Sequence, residues 1–555
     1  MIRCVIWTAI LFWMLTVPSF SLNLTAHEAC ELTTNPSFCK WVLQPQERSD
    51  LGGYSQYLLS QSLSHAARVS DLIQRSLIGK AMQGSGAWLG ALQDCLLLSQ
   101  LNTKYLNSTF TTLKAINGAA GLAINKADDV HTLLSAVVTN QETCHDGLKK
   151  ARRSQHGDDL QHLVANGSEL YRTSLTMFAR SRDLKGPRKR EGGGDLLHEL
   201  RVRRDGMPHW LNDNKLFRFG SSGRSEEELS ARGRLRKHGK VVVAQDGSGH
   251  FRSINEAIAA APEDMHPRNG YHVIRIKAGV YEEYVRIRQS YRNIMLVGDG
   301  MRRTIITGSR SAAGGFDIFN SATLAVWGDN FMAIGITIRN TAGPAMGQAL
   351  AVLNGGDKSV FYRCGFEGYQ DTLCVHSRSQ FYRECNIYGT VDFIFGDAAA
   401  VFQRCNIYVR KPLPGQANMV TAQARTDPHN KTGIAIIHSN ILATPELEVA
   451  AARGEVQSYL GRPWKEYSRT VVMLSNIGGF INPAGWSPWA GDFALRTLYY
   501  GEYRNRGAGA STRHRVKWPG YHLMSVADAR KFTVGRFIDG GTWLPATKVP
   551  FSLGL

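Results

Sequence analysis

The chain has 555 residues, a hydrophobic fraction of 43% and a formal net charge of +19. That length exceeds a single ordinary core, so two or more domains are expected, and the composition excludes a disordered or collagen-like chain. Residues 1–179 carry +1, residues 180–237 carry +7 and residues 238–555 carry +11, which makes a polyanion the natural long-range partner of the C-terminal part.

Residues 1–21 have the order of a signal peptide: Arg3, an apolar run from Cys4 to Val17, then Pro18, Ser19, Phe20 and Ser21. The run is shorter than the roughly 20 apolar residues that span a bilayer. A secreted chain with neither a membrane nor a nucleic-acid partner is therefore expected. Secretion makes the cysteines candidates for disulfides. Cys30, Cys39, Cys95 and Cys144 form one set, in which Cys30 and Cys39 can clip an N-terminal hairpin, and Cys364, Cys374, Cys385 and Cys405 form another. Spacing leaves the pairing within each set open. Asn23, Asn107, Asn166 and Asn430 each begin an Asn-x-Ser/Thr sequon.

Residues 27–178 space Leu, Ile, Ala and Val at three and four, as in Leu51 to Leu77 and Leu122 to Val138, which predicts an all-α four-helix bundle. Residues 179–238 hold Arg188-Lys-Arg190, Gly192 to Gly194, Arg201-Val-Arg-Arg204 and Arg232-Gly-Arg-Leu-Arg-Lys237. They have little to bury and read as an exposed basic linker. Such a stretch is either a solvated charge run or the target of a processing protease, with Asn214-Lys-Leu-Phe217 and Arg234-Leu-Arg-Lys237 as candidate cut sites.

Residues 239–555 change to short β-rich runs: Val241 to Val243, Val273 to Ile276, Ile294 to Val297, Ile334 to Ile338 and Ile434 to Ile437. Phe361-Tyr-Arg-Cys364, Phe381-Tyr-Arg-Glu-Cys385 and Phe402-Gln-Arg-Cys405 recur at about twenty residues. That period in strand-rich sequence predicts a solenoid of parallel β-coils and is about half that of a propeller blade.

Asp371 and Asp392 each follow a repeat cysteine, Cys364 or Cys385, by seven residues. Equivalent positions on adjacent coils lie about 4.8 Å apart. Two carboxylates so close separate in pKa, which sets an ionised nucleophile beside a protonated general acid. A calcium-binding or turn-capping Asp ladder is the plainer reading of the spacing alone. Against it, Gln348 and Gln370 are neutral amide donors suited to an oxyanion, whereas a calcium site would gather more carboxylates. Arg462 can grip one carboxylate in a bidentate fork. Phe395, Trp464 and Trp486 can offer flat faces to sugar rings.

Gly279-Val-Tyr-Glu-Glu283, Gln348-Ala-Leu-Ala-Val352, Gly368-Tyr-Gln-Asp-Thr-Leu373, Gly389-Thr-Val-Asp-Phe-Ile-Phe-Gly396 and Leu460-Gly-Arg-Pro-Trp464 resemble, in order, five segments of the plant pectin methylesterases. The likeness runs from about Val241 to the tail Phe532-Thr-Val534 and Trp543-Leu-Pro545. The helical region is similar to the pectinesterase-inhibitor pro-region of long-form members. The resemblance implies a right-handed parallel β-helix, no metal or organic cofactor, and methylesterified pectin of the cell wall as the substrate. It implies Asp392 as nucleophile, Asp371 as acid and then base, Gln348 and Gln370 as oxyanion donors, and Arg462 as the clamp on Asp392. An intramolecular inhibitor contact and external inhibitor proteins follow as partners. Cys374 stands where the family has an aromatic residue, and Leu350 and Val352 exchange two usual side chains.

A polygalacturonase-like glycosidase is the rival enzyme, since carboxylates about 5 Å apart also suit a retaining glycosidase. Oxyanion donors favour the ester, because an oxocarbenium-like transition state has no oxyanion to bind. A non-catalytic pectin-binding or inhibitory protein is the rival of another class.

Overall fold

The computed structural model describes residues 23–80, 86–115, 122–151, 158–183, 241–266 and 269–555. The expected signal peptide and residues 184–238 of the expected linker lie outside the described residues. Among the described residues six helices precede the strands: α1 (Ala26–Cys30), α2 (Pro36–Leu43), α3 (Leu51–Lys80), α4 (Gly86–Lys114), α5 (Ile124–Ala151) and α6 (Asp158–Asp183). Thus α6 continues five residues beyond the expected end at 178.

The bundle forms because each long helix carries an inward stripe at three- and four-residue steps. On α3 the stripe is Leu58, Ser62, Ala66, Val69 and Ile73; on α5 it is Val130, Leu134, Val137, Gln141, Cys144 and Leu148, all buried. Its polar members are satisfied internally: Ser62 meets Ser174 at 2.9 Å, and the Gln141 amide donates to the Val164 carbonyl at 2.6 Å. Cys30 bonds Cys39, clipping α1 to α2, and Cys95 bonds Cys144, tying α4 to α5. The second bond closes a loop 49 residues long. Replacing Cys95 and Cys144 together by alanine should cost the bundle about 4 kcal/mol, from the larger entropy of the open unfolded chain. Urea titration of the double variant checks this.

Beyond residue 240 the described strands build a right-handed parallel β-helix of three sheets, with eleven, seven and eight strands. The seven-stranded sheet carries the site, and its strands are labelled β1 (Val285–Ile287), β2 (Leu324–Val326), β3 (Val352–Asn354), β4 (Leu373–Val375), β5 (Ile394–Gly396), β6 (Asn418–Gln423) and β7 (Ser458–Gly461). The run Ile334 to Ile338, read as one strand, is two. Met332–Ile334 and Thr337–Asn340 belong to different sheets, and the chain turns between them at Gly335, whose φ of +64° suits glycine.

The repeat sets the register. Phe361 pairs with Tyr382 and Tyr382 with Phe402, and these three rings stack inside the coil at 5.2 Å and 4.5 Å. Phe381 therefore faces the other way, into a second cluster covered by Phe532, Phe537 and Phe551 of the C-terminal tail. Cys364, Cys385 and Cys405 were candidates for disulfides, and the structure has them as free thiols. They sit inside successive coils, where each thiol donates to a backbone carbonyl of the coil before: Ala333 at 3.4 Å, Phe361 at 3.3 Å and Tyr382 at 3.5 Å.

Candidate active site

Leu373 of β4 pairs with Ile394 of β5, an offset of 21 residues. Asp371 and Asp392 stand two residues before those partners, and the Asp371 N–H donates to the Val391 carbonyl at 3.1 Å. The two aspartates therefore occupy equivalent turns of adjacent coils. Both have left-handed backbones, with φ of 61° and 51°, a conformation aspartate tolerates better than most residues and one that clusters at functional sites.

Both aspartates are buried, each residue 7% exposed. The Arg462 guanidinium grips Asp392 in a fork, Nε to Oδ1 at 2.9 Å and Nη2 to Oδ2 at 2.7 Å. Burial raises the pKa of Asp392, while the Arg462 hydrogen bonds and charge pull it back. Asp371 has no such fork. Burial and then the Asp392 charge push its pKa well above the carboxylate range, opposed by the charges of Lys150 and Arg462. Both carboxyls thus stay above the usual value, Asp371 well above it, so Asp392 is the member that ionises first and Asp371 the one that keeps its proton longer.

Gln348, Gln370, Asp371, Asp392, Arg462, Phe395 and Trp464 line one cavity of about 530 Å³. Neither glutamine side chain hydrogen-bonds to another described residue, so both amides are available to a ligand. Trp486 is not in this wall. It is 1% exposed, stacks on Tyr500 at 4.2 Å and donates its indole N–H to Glu502. Trp489 lines the cavity instead, its ring 4.4 Å from the Arg462 guanidinium carbon. A pair of tryptophans three residues apart signals that one can be outward, and the sequence does not say which.

The sequence reading also missed what covers this sheet. Ala325, Leu353, Cys374, Phe395 and Ala422 pair in register across β2 to β6 and form an apolar row beside the aspartates. Each is at most 4% exposed, because the row joins the helical bundle in one hydrophobic cluster. Cys374, standing where an aromatic residue was expected, is a rung of this row. Burial pushes its thiol well above the usual range and the Asp371 charge adds to that, which leaves it a packing group rather than a nucleophile.

A second stripe of α5 makes the contact. The Thr139 hydroxyl donates to Asp397 at 2.7 Å, Thr143 meets His376 at 3.1 Å and the Ser135 hydroxyl accepts from the Lys431 N–H at 3.0 Å. Asp129, Asp128 and Asp146 pair with Lys358, Lys431 and Lys465 at 3.0, 3.2 and 2.6 Å. Asn430, read as a sequon, is 1% exposed and donates its side-chain amide to Asp397, so it is closed to a glycan here; Asn23, Asn107 and Asn166 are exposed.

On α4, Gly90 admits Asp317 so closely that a Cβ would lie 2.6 Å from its Oδ2. Burial, then the charge of Asp317 and a hydrogen bond to it, raise the pKa of Asp94 well above the usual value, and Arg286 opposes this. A carboxyl whose pKa is higher in the docked state favours docking at low pH, and that contribution is lost as pH rises through the raised value. Docking of a cleaved bundle should therefore weaken as pH rises through that raised value, and Asp94→Asn, which cannot ionise, should flatten the change. Dissociation constants measured as a function of pH test it.

The comparisons with known proteins agree with this architecture. The Pectinesterase family model matches residues 240–541, and the Plant invertase/pectin methylesterase inhibitor model matches residues 25–177. The chain is 44% identical to a probable pectinesterase/pectinesterase inhibitor 20 of Arabidopsis thaliana, over 97% of this chain and 95% of that one. It is 41% identical to pectinesterase 2 of Citrus sinensis over the whole of both chains. Among solved structures, the pectin methylesterase from carrot is similar at 55% identity and a TM-score of 0.56, covering 58% of this chain and all of its own. A β-helix with paired, environmentally distinguished aspartates, matched over its full span and preceded by an inhibitor-type bundle, leaves one assignment: the chain belongs to the pectinesterase family.

Proposed function

We propose that this chain hydrolyses the methyl esters of cell-wall pectin through an acyl-enzyme on Asp392. The observation that carries the reading is the asymmetry of the aspartate pair: Asp392 is held by the Arg462 fork, and Asp371 is not. Asp392 attacks the ester carbonyl, and the oxyanion is received by the Gln348 and Gln370 amides. Collapse breaks the bond to methoxide, which takes the proton of Asp371 and leaves as methanol. Asp371, now a carboxylate, takes a proton from water as that water attacks the acyl group, and Asp392 departs as carboxylate. The net change is ester plus water to carboxylic acid plus methanol. Phe395 and Trp464 supply apolar surface to the sugar, and Trp489 takes the place first given to Trp486.

The glycosidase reading lacks a use for two amide donors aimed into the cavity. Incubation of the chain cleaved in its linker and freed of its bundle with highly methylated pectin separates the two: methanol with no new reducing ends is expected, and new reducing ends without methanol would overturn the esterase.

The bundle acts as an intramolecular inhibitor, since it covers the apolar row along which a polysaccharide would lie. External inhibitor proteins of the same fold would compete for that face, and a processing protease acting within residues 179–238 would free it. Secretion to the cell wall follows from the signal-like residues 1–21, the two disulfides and the location of the substrate. Among the described residues no helix is long and apolar enough to cross a membrane.

A further inference from the structure

The bundle divides the groove unequally. On the side of Gln348, Gln370 and Arg462 a cavity of about 530 Å³ remains with the helices seated. Farther along the same face, where Thr139 and Thr143 meet Cys374, His376 and Asp397, only about 60 Å³ is left. Ligand sites for small molecules span roughly 300–1,000 Å³, so the first volume admits sugar rings and the second does not. The first is also reachable from solvent: Trp489 is 38% exposed, the Arg462 side chain keeps 25% of its surface, and Lys149 and Lys150 at the rim are exposed. Those two lysines come from the last turn of α5, and the Lys150 charge acts on Asp371 across the cavity.

We propose that the intact chain, with its bundle docked, is an esterase for short galacturonide methyl esters bearing at least one free carboxylate, and is closed to the polymer. The proposal rests on the esterase reading above and uses the same hydrolysis, one methyl ester and one water giving one carboxylic acid and one methanol. The bundle both shortens the groove and completes it. A polymer must continue past Phe395 and Trp464, where the helices leave no space, whereas a trisaccharide can end inside the larger cavity. Lys149 and Lys150 hold its free carboxylates by charge-assisted hydrogen bonds while its ester reaches Asp392. The helical domain is thus a selector of chain length, and processing changes the substrate rather than merely switching the enzyme on.

The test uses the intact chain and the same chain cleaved at a protease site placed within residues 184–240 and freed of its bundle. The carrot enzyme, whose whole length matches only the β-helix part, indicates that this part folds alone. The substrates are monomethyl trigalacturonate and highly methylated pectin, with methanol as readout. The intact chain is expected to act on the trisaccharide within about tenfold of the cleaved form, and on pectin at least about 100-fold more slowly, as for an undocked population below about 1%. Traces of cleaved enzyme would act on the two substrates in the cleaved form's own ratio, so a changed ratio identifies the intact form. Lys149→Glu with Lys150→Glu should lower the intact chain's trisaccharide rate at least about tenfold, since the loss of even one charge-assisted contact accounts for that much. An intact chain silent on both substrates, beside a cleaved form active on both, would overturn the proposal, as would an intact chain equally fast on both. A cleaved form inactive on both would instead overturn the esterase reading itself.

Discussion

In the form freed of its bundle, an Asp392→Asn variant should release methanol from pectin at least about 10⁴-fold more slowly than the parent in that same form, the scale of losing a covalent nucleophile. The amide keeps the shape of the side chain and the left-handed turn, since asparagine tolerates that conformation as aspartate does. It cannot attack a carbonyl, and it no longer balances the Arg462 charge. Pectin binding should change little, because the apolar surfaces of Phe395 and Trp464 and the oxyanion donors Gln348 and Gln370 are untouched. Single-turnover methanol release, with pectin affinity measured on the same sample and folding checked by circular dichroism, separates loss of chemistry from loss of structure. Activity within tenfold of the parent would remove Asp392 from the nucleophile role.

Arg462→Gln should reduce kcat/KM about 100-fold at the parent's optimum and move the acid limb of the pH profile upward, since two charge-assisted hydrogen bonds are lost. The sign follows from the balance at Asp392. Burial raises its pKa, and the Arg462 hydrogen bonds and charge lower it. Without the arginine, burial acts alone and the carboxylate forms only at higher pH. Attack requires the ionised form, so activity is lost as pH falls through that higher value. The alkaline limb belongs to Asp371, which must be protonated to release methanol. Arg462 is a minor cause there, behind burial, Asp392 and Lys150, so that limb should rise less and the bell should narrow. An acid limb that stays in place would show that the fork does not tune the nucleophile. A parallel decrease at every pH would assign Arg462 to substrate binding.

Much of the site was legible because a parallel solenoid turns sequence spacing into spatial spacing. Cys364 and Cys385 mark the same level of two coils, so Asp371 and Asp392, each seven residues on, must stack as well. The same logic failed at Phe381, which the repeat aligned with Phe361. The strand register pairs Phe361 with Tyr382, and the ring of Phe381 points outward. Counted back from the cysteines there is no offset: Arg363, Glu384 and Arg404 each precede one in a left-handed turn, with φ of 51°, 53° and 54°, so Tyr382 is the equivalent of Phe361 and Phe402. Trp486 failed for a related reason: both tryptophans suit an apolar environment, and only the packing of Tyr500 and Glu502 decides which one is buried.

What was not legible lies between segments far apart in the chain. The inward stripe of α5 can be read from Val130 to Leu148 because it repeats at helical spacing. Its second stripe, Ser135, Thr139 and Thr143, repeats just as well but resembles any solvated face. Its partners, Lys431, Asp397 and His376, lie more than 200 residues away. The outward apolar row from Ala325 to Ala422 could equally have met a sugar chain, solvent or another domain.

Local chemistry alone established the helical and β-coil halves of the chain, the stacking of its two aspartates and the family they belong to, because each follows from periodicity and short motifs. Only the folded molecule decided that Trp489 and not Trp486 walls the cavity, that the three inner cysteines stay reduced, and that α5 lies across the groove. Those depend on which surfaces meet, and the choice among surfaces is made by packing over the whole chain, which no spacing along it records.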